Sequence, residues 1–177
     1  PLLRITVTDT NNFQLGREAS GLRLPESTRN PAYDALRRYF KPDAALKNDW
    51  EIILGIARWV HLRWQHDPFG SAPPQTDALA LLQSFPPGTA FSCNEYSKVL
   101  RDMLRANGFI ARSVTLQSRG IAYSGLGASH VAVEVYHNQL NKWVLVDPQW
   151  GFVPSHNGKP LNVYELYQLQ KAGQYNE

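Results

Sequence analysis

Residues 92–108 read SCNEYSKVLRDMLRANG and hold the only cysteine of the chain, Cys93. Ser92 followed three residues later by Glu95 is the signature of a capping box, which predicts a helix with Ser92 at its N-cap and Cys93 at its first position. An apolar stripe at helical spacing follows, and Gly108 is the expected stop. The stripe consists of Tyr96, Val99, Leu100, Met103 and Leu104. The sequence therefore predicts an amphipathic helix that carries a thiol at its N-terminus.

Upstream of this helix, the sequence predicts one short strand and three further helices. The strand covers about residues 3–7, where apolar and polar residues alternate. Each helix start combines an N-cap residue with a suitable first turn. The expected helices begin at Asn30-Pro31, Asn48 and Thr76, and end near Phe40, Gln65 and Phe85 respectively. Because no repeat, charge block or linker-like segment divides the chain, residues 1–177 are predicted to form one domain.

Downstream, the pattern predicts a strand at 109–117 and then a β-hairpin of residues 130–136 and 141–147. A four-residue hairpin loop pairs Tyr136 with Asn141 and gives two matched apolar pairs. The pairs are Val133 with Val144 and Val131 with Val146. The same register places His130 directly opposite Asp147, where β carbons lie about 4.5–5.5 Å apart. The apolar pattern alone therefore predicts a hydrogen bond between His130 and Asp147.

Residues 118–129 form the connection that leads into His130, and they contain three glycines. Their composition predicts a loop, and their place directly before His130 predicts that this loop borders the same cleft.

Together, the side chains of Cys93, His130 and Asp147 have the chemistry of a thiol nucleophile, its base and a group that orients the base. A helix N-terminus and a neighbouring imidazolium both lower a thiol pKa from its usual ~8.5. Cys93 would then attack an acyl carbon, His130 would carry the proton, and Asp147 would orient the imidazole. Taken singly, the residues have simpler interpretations: a small buried residue, a strand histidine, and the turn-former of Asp147-Pro148. Their coincidence with the expected helix start and strand pairing favours catalysis.

Several separated blocks carry a resemblance to a known family. They read IARWV at 56–60, CNEY at 93–96, RANGFIAR at 105–112, SHVAVEVY at 129–136 and WVLVDPQWG at 143–151. Over about residues 50–152 the chain resembles the transglutaminase-like superfamily of papain-type folds. The resemblance implies an α+β fold in which a nucleophile helix packs on an antiparallel β-sheet. It also implies a Cys93–His130–Asp147 triad and thioester formation at an amide.

The oxyanion site and the residue before the nucleophile are less well matched. Many relatives have glycine before the cysteine, whereas this chain has Ser92. The backbone N–H of Cys93 is one expected oxyanion donor, and the sequence identifies no secure side-chain donor beside it. The sequence leaves four candidates open for a second donor: Gln75, Gln83, Tyr123 and Trp150.

Composition removes several classes of function. A 43% hydrophobic content is typical of globular proteins, and no run reaches the ~18–20 apolar residues of a membrane span. The net charge of +3 is mild and scattered, so nucleic-acid binding is not expected. No Cys/His cluster has metal-ligand spacing, and His61 and His66 would not share a helical face, so neither a metal nor a cofactor is expected.

The resulting expectation is an enzyme that acts on a protein or peptide amide, either a peptide bond or a side-chain carboxamide. Water as the acceptor would make it a peptidase or amidase, and a primary amine would make it a transglutaminase. With one compact domain and no evident calcium loop, we expect hydrolysis or an uncharacterised activity rather than amine transfer. The alternative is an inactive transglutaminase-like module that binds or interacts.

Overall fold

The computed structural model describes residues 31–42, 48–117 and 129–175. The strand expected at residues 3–7, nearly all of the glycine-containing loop, and Tyr123 lie outside these ranges. In chain order, the described elements are α1 (Pro31–Arg37), α2 (Asp49–His61), β1 (Gln65–His66), α3 (Ala78–Ser84), β2 (Ala90–Phe91), α4 (Cys93–Ala106), β3 (Ala111–Gln117), β4 (Ser129–His137), β5 (Lys142–Val146), β6 (Ser155–His156), β7 (Lys159–Pro160) and α5 (Val163–Lys171).

Helix α4 lies at the centre of the fold. It packs against β3 and β4 and also against α1, α2 and α3. Its apolar stripe is fully buried, together with the valines of β4 and β5 that face it. Strands β3, β4 and β5 form an antiparallel sheet in that order, and α5 contributes to a second, smaller core with Ala132 and Leu145. The fold is therefore α+β, with the cysteine-bearing helix packed on an antiparallel sheet, as expected.

The upstream helices begin close to their predicted positions, but α1 and α2 end earlier than predicted. The Asn48 side chain accepts the Glu51 N–H at 2.9 Å, which confirms the predicted start of α2. The predicted end near Gln65 is wrong. The chain leaves the helix after His61 because the N–H of Gln65 bonds to Thr89 O at 2.9 Å, in the two-strand parallel pair β1–β2. Similarly, α1 ends at Arg37 rather than near Phe40.

The predicted N-cap of α3 is wrong by one residue. Asp77, not Thr76, occupies this position, and its carboxylate accepts the Ala80 N–H at 2.7 Å. The Thr76 hydroxyl instead donates to Pro73 O in the preceding turn. Because that hydroxyl is already engaged, the adjacent carboxylate caps the helix.

The predicted hairpin register is wrong by two residues. Val133 pairs with Val146, and Tyr136 pairs with Trp143 rather than with Asn141. Asn141 lies in the turn at φ +51, a conformation that asparagine tolerates, and its side chain accepts a hydrogen bond from the Tyr136 hydroxyl at 2.6 Å. A shift of two keeps every side chain on its predicted face, because the strand repeat is two residues.

Within the described residues, no helix is both long enough and apolar enough to span a bilayer.

Candidate active site

Cys93 is the first residue of α4, directly after the N-cap residue Ser92. Its side chain is half-buried, and its sulfur is hydrogen-bonded to the His130 imidazole and to the backbone of Val131. Burial alone would raise the pKa of the thiol. The hydrogen bonds at His130 and Val131, together with the charge of the imidazole, outweigh burial and lower the pKa below its usual value. The geometry therefore favours a thiolate.

His130 is hydrogen-bonded to Asp147, with its Nε2 at 2.5 Å from Asp147 Oδ2. The sequence predicted this bond, but it placed His130 and Asp147 directly opposite each other in the hairpin. In the observed register, one step beyond the Val133–Val146 pair would place Asp147 opposite Ala132. His130 therefore reaches the carboxylate diagonally, a separation that a long side chain can cover. Because Nε2 bonds to Asp147, Nδ1 is the ring nitrogen left for the sulfur.

The environment of His130 favours its protonated form. Burial alone would lower the pKa of the imidazole, but hydrogen bonds to Asp147 and Cys93 and the charges of both partners raise this pKa to about 9. The lowered thiol pKa and the raised imidazole pKa both favour a thiolate–imidazolium pair over two neutral groups.

This ion pair predicts how the stability of the protein depends on pH. Folded His130 stays protonated up to about pH 9, whereas the unfolded imidazole loses its proton near ~6.5, which alone lowers the free energy of unfolding as pH rises. The lowered Cys93 pKa has the opposite effect, because the folded thiolate has already lost the proton that the unfolded thiol keeps. We therefore expect the free energy of unfolding to fall less steeply between about pH 6.5 and 8.5 in the wild type than in Cys93→Ala. In that variant Asp147 still raises the His130 pKa, and the decrease can reach up to ~1.4 kcal/mol per pH unit.

Urea unfolding at half-unit pH steps measures both slopes. A Cys93→Ala/His130→Ala double variant serves as the control, and its free energy of unfolding should change little over this pH range. Equal slopes in the wild type and in Cys93→Ala would contradict the ion pair.

The Asp147 carboxylate is held by a tight turn of the chain. Only 4% of the residue is exposed, and its Oδ1 accepts the backbone N–H groups of Gln149 and Trp150, each at 3.0 Å. The N–H of Gly151 returns to Asp147 O at 2.9 Å. Since both carboxylate oxygens are engaged, the orientation of Asp147 toward His130 is fixed from two sides.

His61 supports this turn from α2. Its Nδ1 lies 3.2 Å from Pro148 O and 3.1 Å from Gln149 O, so a hydrogen on Nδ1 donates to these carbonyls. Gly151 has φ +68, and a β carbon there would approach the His61 ring to 2.8 Å. Glycine is therefore required for both conformation and space. No local sequence pattern indicates this role, because His61 and the turn are 87–88 residues apart.

The predicted capping box is only partly present. Ser92 occupies the N-cap, but its side chain makes no capping hydrogen bond and instead donates to Glu95 Oε2 at 2.9 Å. Glu95 is buried, and its Oε1 accepts the Ala72 N–H at 3.2 Å. The carboxylate therefore ties the loop before α3 to the first turn of α4, rather than closing a box.

Ser92→Ala is accordingly expected to affect stability more than reactivity. The buried Glu95 carboxylate would lose its hydroxyl partner, at a cost of about 1–3 kcal/mol in the free energy of unfolding. The pH dependence of Cys93 alkylation should stay unchanged, because the hydroxyl caps no N–H group. Ser84→Ala, at an exposed position, is the control and should change stability by less than about 0.5 kcal/mol. A shifted alkylation profile in Ser92→Ala would contradict this account.

The four oxyanion candidates lie in different places. Gln75 lies in an exposed turn at φ +68, and Gln83 is exposed on α3. In the described ranges, neither glutamine side chain has a recorded hydrogen bond to Cys93 or His130. Tyr123 lies outside those ranges. Trp150 is 57% exposed and belongs to the Asp147 turn, where its ring lies against His66, with ring centroids 4.8 Å apart.

The described parts of the chain contain no group of three or more His, Cys, Asp or Glu side chains that could hold a metal ion. The side chains that the site brings together are a thiol, an imidazole and a carboxylate.

Comparisons with known proteins give a family and two similar structures. The model of the transglutaminase-like superfamily matches residues 38–148. A crystal structure of a proposed cysteine protease from Cytophaga hutchinsonii has 19% identity and a TM-score of 0.52, and the match covers 67% of this chain and 37% of that one. The periplasmic domain of TgpA from Pseudomonas aeruginosa, solved with ethylmercury bound, has 21% identity and a TM-score of 0.45, with 72% and 46% covered. This chain thus spans less than half of either protein. A comparison with curated proteins finds no match.

Proposed function

Because the chain belongs to the transglutaminase-like superfamily, we propose that it is a thiol-dependent acyl-transfer enzyme acting on an amide. The observation that carries this proposal is a continuous chain of hydrogen bonds from Cys93 through His130 to Asp147, with the thiol at a helix N-terminus. Each link prepares the next: the carboxylate orients the imidazole, and the imidazolium stabilises the thiolate.

The first half of the reaction forms a thioester. The Cys93 thiolate attacks the carbonyl carbon of the amide and forms a carbon–sulfur bond. As the carbon–nitrogen bond breaks, His130 Nδ1 gives its proton to the departing nitrogen, which leaves as an amine or as ammonia. The acyl group stays on the sulfur, and the imidazole is left neutral.

The second half returns the enzyme to its starting state. His130 Nδ1 removes a proton from water or from a primary amine, and the resulting nucleophile attacks the thioester carbon. The carbon–sulfur bond breaks and the thiolate reforms beside the imidazolium. Water gives an acid, and an amine gives a new amide. Asp147 keeps the imidazole in the orientation that both proton transfers need.

Peptide mass spectrometry tests this function. Glutamine-containing peptides are incubated with the protein, with and without putrescine as the amine acceptor. Peptide cleavage identifies a peptidase, conversion of glutamine to glutamate identifies an amidase, and attachment of putrescine identifies a transglutaminase. Each product should disappear in Cys93→Ala. The absence of any Cys93-dependent product, together with an ordinary thiol titration, would favour a non-catalytic binding module instead.

A further inference from the structure

We propose that His66 donates the second hydrogen bond to the substrate carbonyl oxygen as the thioester forms. This inference rests on the proposed acyl transfer and assigns a residue that the sequence did not suggest.

His66 lies beside the segment of the chain that leads into Cys93. His66 pairs in parallel with Phe91, two residues before the nucleophile. The N–H of Asp67 bonds to Phe91 O, and the N–H of Ser92 bonds to Gly70 O, each at 2.9 Å. Adjacent strands lie about 4.8 Å apart. The His66 backbone therefore lies on the strand next to the segment that leads into Cys93.

His66 is also contacted by two residues of the turn that holds Asp147. The side-chain amide of Gln149 is hydrogen-bonded to His66 Nδ1, and the Trp150 ring lies against the imidazole. The backbone N–H groups of these same two residues hold Asp147. A series of contacts therefore links Cys93 to His130, His130 to Asp147, and the Asp147 turn to His66. The pairing of His66 with Phe91 connects His66 to the segment that leads into Cys93. His66 thus connects the Asp147 turn with the strand next to the segment that leads into Cys93.

The contact with Gln149 determines which nitrogen of the His66 ring carries the hydrogen. Gln149 is buried, and its amide nitrogen donates to Nδ1, so Nδ1 acts as an acceptor. A neutral imidazole then carries its hydrogen on Nε2. The His66 side chain is exposed, so this N–H is a donor available to a ligand. The buried amide thus selects the tautomer that an oxyanion site needs.

The geometry of the reaction requires hydrogen-bond donors for the carbonyl oxygen on the side that faces away from His130. The departing nitrogen must face His130 to receive its proton, so the carbonyl oxygen points away from that imidazole. The Cys93 N–H at the start of α4 is one donor for the developing negative charge. His66 Nε2–H, on the strand next to β2, supplies the second.

Two reactions of Cys93 separate this role from others. Acylation by p-nitrophenyl acetate passes through an oxyanion, whereas alkylation by iodoacetamide does not, because displacement occurs at a saturated carbon. In His66→Phe, which keeps a ring against Trp150 but has no N–H, we expect acylation to slow by about 10²–10³-fold. The alkylation rate should stay within about twofold of wild type. His66→Gln, which retains an amide donor, should acylate faster than His66→Phe, and Gln65→Leu on the same strand is the matched control.

Each outcome decides the proposal. Unchanged acylation in His66→Phe, or loss of acylation in Gln65→Leu instead, overturns the role of His66 while leaving the enzyme proposal intact. Equal losses of acylation and alkylation in both His66 variants assign His66 a purely structural role and also overturn the proposal. If the wild type itself forms no acyl-enzyme and its thiol titrates normally, the proposed function fails and the inference fails with it.

Discussion

Cys93→Ala and His130→Ala are each expected to lower acyl-transfer activity by at least ~10⁴-fold, and the double variant should lose almost nothing further. The thiolate and the imidazolium stabilise one another, so removing either partner removes the same ion pair. Cys93→Ala should fold normally, since a first-turn helix position tolerates alanine. Single-turnover acylation of all three variants measures the effect.

His156→Ala is the control for loss of an imidazole, because His156 lies on β6, outside the described contacts of the site. It should keep wild-type activity. Losses that multiply in the double variant would mean that Cys93 and His130 act independently, contrary to the account.

Asp147→Asn is expected to lower the same rate by roughly 10⁴-fold while largely preserving the fold. The asparagine Oδ1 can still accept the N–H groups of Gln149 and Trp150, which hold the turn. Its NH₂ group would then face His130 Nε2 and require that nitrogen to accept. The ring hydrogen would move to Nδ1, where a neutral imidazole cannot remove a proton from the thiol or from the acceptor.

Asp77→Asn controls for the chemical change, because either side chain can cap α3. Acylation rates, alkylation profiles and unfolding curves of the two variants should be compared. An Asp147→Asn variant that acylates at the wild-type rate would remove Asp147 from the mechanism.

The parts of this fold that follow from local pattern were predictable. The start of α4 and its apolar stripe follow from the spacing of neighbouring residues. The strands β4 and β5 follow in the same way from residues close together in the chain. The hairpin register was not predictable to the residue, because a shift of two leaves the same faces apolar. Turn geometry at Asn141 selects between the alternatives, and its left-handed backbone is visible only in the structure.

The surroundings of the candidate site were harder to predict for a different reason. His66 and Gln149 are 83 residues apart, and no periodicity links them. Glu95 has the spacing of a capping box, but it uses its carboxylate on Ser92 and on a distant loop. Contacts of this kind depend on how the elements pack, so local sequence patterns did not indicate them.

The rate of Cys93 alkylation by iodoacetamide, measured across a range of pH, shows whether His130 holds Cys93 as a thiolate. In the wild type, the rate should reach a plateau well below pH ~8.5, with a second change near about 9 as His130 loses its proton. In His130→Ala, the profile should revert to a single transition near ~8.5. Identical profiles for the two proteins, with a midpoint at or above ~8.5, would show that Cys93 is an ordinary thiol and would contradict the account.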